Sequence, residues 1–527
     1  MGKTRGRWVE RYSGAAKGAD IIEFYQWASG VNFESRVSQG CVNLTIMKIK
    51  RLFAILVIGV SLLWAGGVFA VPITDSDDWS GTYFNGSKIG FNHAGVKVRK
   101  GRVDVHTKMY FRLQSGEDDQ STILTQDTTL TPDLRLKDFV MLQEIMGKRQ
   151  EITGRVQGNQ LILEISGRGF HKQQTLDFPA DTYPSSTVWL NIMKEGFEVG
   201  KKGKFNLFIE AFRMVMPMTY EILRKETIKF DGKNVDTYVV QQKFVGMTTT
   251  LWANAEGDVY RELSLNGFES VKETKEVATR LGDKPMSVSS FITLSLVTIK
   301  KPIASPDDQG RLKLKLINVH GPESIPQDHR QKVLKTEKNG EESYTTTLLI
   351  QRESKAPIKR MSLPISTKGY EEYLQDAPEI QVQHPLIRTL AKDLVEGETD
   401  AWQAAKVIST WVHDNLDKVL VDSFTALDAL HDRRGECQSH TNLFTALARA
   451  AGIPTKVVNG LVYSREFKGF LYHAWPEVWV GEWRALDPTL GQHHVDATHI
   501  KLSEGNYEGA LKLMEFIGQV NIELLEQ

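Results

Sequence analysis

The 527-residue sequence predicts an α+β chain, with antiparallel β-rich segments first and a helix-led α+β core at the C-terminus. Three observations predict it. Residues 75–275 carry short alternating apolar runs broken by turn dipeptides, the signature of strands and hairpins. From Pro385 onward, apolar residues recur at three- and four-residue spacing, the signature of helices. Downstream, Cys437, His473 and Asp487 occur in that order in well-separated motifs. The 65 basic and 65 acidic residues balance, so no nucleic-acid partner is expected.

The chain before the first strand reads as targeting sequence. Lys48, Lys50 and Arg51 form a basic region, and an uncharged run follows from Leu52 to Phe69. Val68 and Ala70 suit the small-residue positions of a signal-peptidase site, predicting cleavage after Ala70. The competing reading is an uncleaved anchor, because about 18 apolar residues can just span a bilayer. Residues 47–70 are thus a signal peptide or a membrane anchor, and 52–69 are the one segment expected to associate with membrane. Under both readings the basic flank stays cytoplasmic and the rest is exported, to the periplasm or anchored facing it. Residues 1–46 read as a start-site artefact, with Met47 the true start, or as a short cytoplasmic tail.

Residues 71–280 form the first β-rich domain. Val103–Arg112, Gln160–Ile165, Thr237–Val245 and Thr248–Trp252 have strand composition or alternation, and Asn85-Gly86, Gly158-Asn159 and Asp231-Gly232 mark turns. An antiparallel sheet or incomplete barrel is expected. His93, His106 and His171 are scattered and read as surface residues. A smaller β unit, 281–370, follows, with strands at Ser290–Ile299, Arg311–Val319 and Thr345–Ile350. Between them, Gly321–Glu342 is polar and charged and reads as a loop or mobile excursion.

Residues 375–527 carry the chemistry. Pro385 opens one helix, with Ile387, Leu390, Ala391 and Leu394 on one stripe. Asp400 caps a second, with Trp402, Ala405, Ile408, Val412 and Leu416 on its apolar face. A third runs from Thr425 to about Asp432. The fourth begins at Cys437, buries Leu443, Phe444, Leu447 and Ala451, and stops at Gly452 and Pro454. Cys437 thereby sits in a first helical turn, where unpaired N–H groups and the dipole favour a thiolate and can serve an oxyanion.

A strand over Thr455–Val462 follows, then two more joined by a tight turn at Gly481-Glu482. They carry His473 and Asp487, an imidazole base and a carboxylate to hold its tautomer. Register tests the pairing. A two-residue turn would pair His473 with Leu490 and throw Asp487 onto the opposite face. The triad therefore requires an odd-length turn or bulge near Gly481, or a distortion at Pro476.

Gly435-Glu436-Cys437 with its Leu-rich helix and Ala451-Gly452-Ile453-Pro454, then His473-Ala474-Trp475-x-Glu477-Val478, then Leu486-Asp487-Pro488-Thr489, resembles the bacterial transglutaminase-like family in order and spacing. The resemblance implies a papain-like core and thiol acyl transfer. It assigns Cys437 as nucleophile, His473 as base and Asp487 as orienting carboxylate. It implies no cofactor. It does not transfer a second oxyanion donor, for which Trp402, Gln403 and Trp411 are candidates.

Other polar residues have two readings. His440, Glu477 and Trp475 line the cleft or serve structure, and Arg433 and Arg434 raise the local potential or are solvated charges. Cys437-x-x-His440 with His493, His494 or His499 could be read as a zinc site, but one thiol and no second paired motif argue for no metal. Cys41 and Cys437 are the only cysteines. A chain cut after Ala70 therefore keeps one thiol and forms no internal disulfide. The expected function is an exported cysteine hydrolase or acyltransferase on peptide or amide bonds, peptidase or amidase favoured, with a peptide or protein substrate. The alternative is a non-catalytic envelope binding or assembly protein that keeps the fold. A third expectation is that the β region docks on the cleft and restrains it.

Overall fold

The computed structural model describes residues 73–526 apart from 116–117, 146, 245–246, 265–266, 283–285, 288–295, 341–342, 358, 366–367 and 420–424. The expected leader at 47–70 and the extension at 1–46 lie outside the described residues. No helix among the described residues is long and apolar enough to cross a membrane. The chain is α+β, as its patterning predicts.

Strands between Ser76 and Glu273 form one large sheet by consecutive pairing in two runs, antiparallel except where Thr182–Pro184 pairs in parallel with Lys202–Ile209. The runs meet where the first strand, Ser76–Phe84, pairs with the last, Phe268–Glu273. Asn85-Gly86 and Asp231-Gly232 turn with positive φ at both residues, the geometry that matches strand twist in two-residue hairpins. The sheet must also curl. Its edge strands, Phe170–Asp177 and Thr182–Pro184, lie at opposite ends of the pairing order yet are neighbours in sequence. The few residues between them reach less than about 20 Å. Across the interior, Phe139 and Phe178 pack on Phe208 with ring centroids 5.9 and 5.7 Å away, and Gln126 Nε2 donates to Glu210 at 3.0 Å. An incomplete barrel results, with the helix Val188–Glu195 buried against it. His93, His106 and His171 pair with Asp77, Asp127 and Glu164 and take no part in a cluster of catalytic type.

Arg311–Val319 and Tyr344–Gln351 pair in a second sheet that also takes a strand from the C-terminus, Asn521–Glu526. Gln331–Lys338, inside the segment read as a loop, is a strand paired to Tyr344–Gln351. It is the sheet's outer strand, mostly solvated, and its lysines and glutamates blunt an exposed edge. An edge strand wet on both faces leaves no apolar alternation to read. Of the strand expected at Ser290–Ile299, residues up to 295 lie outside the described set, and Val297–Thr298 pairs with Phe470 and Gly469.

Elements of the C-terminal core are numbered within it. Helices α1 (Pro385–Leu394), α2 (Ala401–Asn415) and α3 (Ala426–Asp432) surround α4 (Cys437–Ala450). Strands β1 (Thr455–Ser464), β2 (Gly469–Trp479), β3 (Trp483–Ala485) and β4 (Ile500–Glu504) form the adjoining sheet. The caps follow the sequence. Asp400 accepts from Trp402 N and Gln403 N, and Thr425 and Asp428 close a reciprocal capping box. Gly452 takes φ +79° beyond α4, with Gly452 N bonded to Arg449 O and Ile453 N to Ala448 O, a Schellman ending.

The barrel docks on this core beside α3. Lys148 and Arg168 reach Asp432 at 2.7 and 3.2 Å, and Lys172 Nζ donates to Asp376 O. Arg213 bonds Glu379 at 2.6 Å with both side chains buried, and Glu379 O accepts from Ala426 N at the start of α3. Removing one partner of a buried pair strands the other charge. Glu379→Ala should therefore lower unfolding free energy by about 3 kcal/mol in denaturant titration, whereas loss of the exposed Lys335–Glu337 pair should change it little.

Candidate active site

Cys437 is the first residue of α4 and is 1% exposed. The first turn contains no acidic residue, and the buried Glu436 stands at the N-cap. The helix end favours a thiolate, and the neighbouring Glu436 carboxyl opposes one. One turn on, Thr441 Oγ1 donates to Ala474 O at 3.1 Å, which seats α4 on β2. Residues four apart share a helix face, so Cys437 lies on the face that Thr441 turns to β2.

The turn between β2 and β3 decides whether His473 and Asp487 can meet. Glu477 pairs with Ala485, Val478 with Arg484 and Trp479 with Trp483, leaving Val480, Gly481 and Glu482 as a three-residue turn. The register required for the pairing is therefore met by an odd-length turn, with Gly481 at φ +97°. Counting back along the ladder puts Asp487 in phase with Trp475 and His473. His473 Nε2 lies 2.7 Å from Asp487 Oδ2, and both side chains are fully buried.

Asp487 is held from several directions. Its Oδ1 accepts from Thr489 N and Leu490 N at 2.8 and 3.0 Å. Its Oδ2 takes His473 Nε2 and, at 3.1 Å, His499 Nε2. Burial opposes ionisation, yet the two imidazoles hold this carboxyl well below the usual carboxylate range. An ionised Asp487 only accepts, so His473 carries its proton on Nε2 and leaves Nδ1 as an acceptor.

His499 and its partner Asp496 escaped the sequence reading as members of this group. Asp496 Oδ1 lies 3.3 Å from His499 Nδ1 and also accepts from Thr498 N and Oγ1. Burial disfavours the imidazolium, but Asp496 and Asp487 outweigh it and raise the His499 pKa to about 9.

Of the residues read as cleft-lining, Trp475 alone packs on the pair, with its ring centroid 6.2 Å from that of His473 and 5.3 Å from that of His499. Glu477 shares its strand face but is committed elsewhere, 2.7 Å from Lys501 and 3.3 Å from Lys456. Lys501 also meets Asp328 and Glu504, so Glu477 belongs to a buried charge network. His440 donates Nδ1–H to Glu436 O one turn back at 2.8 Å, and burial depresses its pKa to about 4, keeping it neutral. Trp402 lies under the Arg484 guanidinium and Trp411 under Arg433, both packing roles, and Gln403 is exposed.

His473, Asp487 and His499 offer donor atoms within 4.8 Å of one another, the donor set of a metal site. The spacing does not suit one. Two ligand atoms on a tetrahedral zinc lie roughly 3.3 Å apart, and the 2.7 Å between His473 and Asp487 is a hydrogen-bond distance. His493 bonds Thr410 and His494 packs near Trp402, away from this group.

Residues 388–488 match the family model described as the transglutaminase-like superfamily. The C-terminal segment is a transglutaminase-like domain. It includes Cys437, His473 and Asp487, and His499 follows just outside the matched range. The chain is 25% identical over 158 residues to kyphoscoliosis peptidase of Mus musculus, covering 27% of this chain and 23% of that protein. It is 30% identical over 113 residues to the uncharacterized protein ML0607 of Mycobacterium leprae (strain TN), covering 20% of this chain and 39% of that one. The chain thus spans well under half the length of these curated relatives. A solved candidate cysteine protease from Cytophaga hutchinsonii is 17% identical with a TM-score of 0.30, over 42% of this chain and 87% of its own.

The transglutaminase-like core depends on one close approach. Gly460 of β1 sits opposite His473, and a Cβ there would lie 1.9 Å from Ile500 O and 2.9 Å from the Trp475 ring. Gly460→Ala must push β4 or Trp475 away from the pair. It should cost about 1–3 kcal/mol of stability in thermal or denaturant unfolding, and slow alkylation of Cys437 at neutral pH.

Proposed function

We propose that the chain is a thiol-dependent hydrolase or acyltransferase of peptide or amide bonds, with hydrolysis its main reaction. The observation that carries the reading is the buried His473–Asp487 hydrogen bond on the strand face that meets the start of the Cys437 helix. His473 Nδ1 takes the thiol proton, and the Cys437 sulfur attacks the substrate carbonyl carbon. The C–N bond then breaks, and the leaving amine takes the proton from His473. Water resolves the thioester with His473 as base, regenerating the thiol and releasing an acid. A second amine in place of water gives transfer.

Amides at the start of α4 serve as one oxyanion donor. Asp487 keeps His473 in the tautomer that leaves Nδ1 as acceptor. The name of the kyphoscoliosis relative, a peptidase, favours hydrolysis over cross-linking. Export is part of the proposal and rests on the basic and apolar run from Lys48 to Ala70.

The binding-protein reading draws on one observation: Cys437, His473 and Asp487 are all closed from solvent, at 1%, 0% and 0% exposure. Turnover separates the two readings. Wild type and Cys437→Ala are compared on a panel of envelope peptides and proteins, with released amine as the measure. Cys437→Ala should lower turnover by about a thousandfold or more, and a variant that retained full turnover would refute the mechanism. N-terminal sequencing of the mature protein should begin at Val71.

A further inference from the structure

A nucleophile's supporting carboxylate ordinarily needs one imidazole. Here Asp487 Oδ2 is shared between two, His473 at 2.7 Å and His499 at 3.1 Å, and the second is itself gripped by a further carboxylate, Asp496. The two imidazole rings are 6.0 Å apart and nearly perpendicular, and Trp475 packs on both. All five side chains are buried. We propose that His499 is a positioning residue of the site, a fixed cation that holds Asp487 through the same carboxylate oxygen as His473 and shares its charge. This rests on the roles given above to Cys437, His473 and Asp487.

Charge bookkeeping gives His499 a task that neutral packing would not. Asp487 and Asp496 are two buried anions, and an imidazolium at His499 leaves their group with one net negative charge. Without it, both would bear on His473. A buried imidazole facing two negative charges holds its proton too tightly to return it to a leaving amine. The same loss removes a positive charge from the neighbourhood of Cys437 and disfavours the thiolate. His499 donates Nε2–H to Asp487 and Nδ1–H to Asp496, using both ring nitrogens as only the protonated form can. The groups that face it are Asp487, Asp496 and His473. His440 lies further off, neutral, and still senses Asp487.

The protonation range is wide enough for the role. With its folded pKa near 9, above the ordinary value of 6.5, His499 contributes stability that is complete below about pH 6.5. That contribution is lost as pH rises through about 9.

The test is the pH dependence of Cys437 alkylation by iodoacetamide, which needs no knowledge of the substrate. Full-length wild type, His499→Gln and Asp496→Asn are compared, with thermal melts as the fold control. Wild type should show thiolate reactivity setting in well below the ordinary thiol range near pH ~8.5. In His499→Gln the midpoint should move up by roughly one unit, with alkylation at pH 7 several-fold slower in a folded protein. Asp496→Asn removes one of the two anions while His499 stays bonded to Asp487, so by the same charge count it should lower the midpoint or leave it in place, opposite to His499→Gln. If His499→Gln does not fold, His499→Asn takes its place in the comparison. A folded His499→Gln with an unmoved midpoint, or a lower melting temperature and no pH shift in either variant, overturns the proposal while leaving the triad standing. A wild-type midpoint at the ordinary thiol value sinks the triad reading itself, and the inference with it.

Discussion

The buried charge of Asp487 is what the C-terminal core is arranged around. A carboxylate at 0% exposure costs several kcal/mol unless every lone pair is engaged. Here two backbone amides fill one oxygen and two imidazoles the other. The amides belong to Thr489 and Leu490, just past Pro488, so the turn that ends the strand also solvates the carboxylate. Trp475 then closes the group from water, which strengthens each of those hydrogen bonds. Gly460 is the space that closure requires. Removing any one of these features leaves the others supporting a charge that is no longer fully satisfied.

Strand parity carries that charge to the right place. Side chains alternate, so one residue in a turn decides whether His473 and Asp487 share a face. Val480 is the deciding residue. It extends the turn from two residues to three, and its backbone N bonds to Glu482 O. Gly481 at φ +97° accepts the backbone that such a turn needs. Glu353 Oε2 then bonds Ala485 N, and Arg484, fully buried, ties β3 to Ser354, Ala356 and Glu482. The segment that follows the small sheet's strand Tyr344–Gln351 thus braces the strand that leads into Asp487.

These dependences explain what could be read from the chain and what could not. The helix bearing Cys437 was legible because its apolar stripe, its Gly452 stop and its Pro454 are local signals with a fixed period. The need for an odd turn near Gly481 was legible too, because parity is arithmetic on residue numbers. Its form was not, since Val480 is apolar and reads as one more strand residue. His499 was invisible as a partner of Asp487. Eleven residues separate them, no period links them, and the contact exists only because β4 pairs with β1. Gln331–Lys338 failed for a different reason, since a solvated edge strand hides its geometry behind lysines and glutamates. The curl of the large sheet was legible as an incomplete barrel but not in its closure, which depends on strands far apart in the pairing order.

The barrel gives the arrangement its remaining constraint. Its basic side chains meet the core along one line, at Asp376, Glu379 and Asp432, and this line runs beside α3. Arg433 ends α3 in the left-handed region at φ +51° and is stacked on Trp411, and Cys437 follows four residues later. A helix end in that conformation has little freedom, so the position of α3 fixes the approach of the chain to the nucleophile. The buried Arg213–Glu379 pair sets where α3 begins and the pairs at Asp432 set where it ends. The position of Cys437 at the start of α4 therefore depends on contacts with a domain that holds none of Cys437, His473 and Asp487, and the large β region has a physical reason to precede this core even before any ligand of its own is considered.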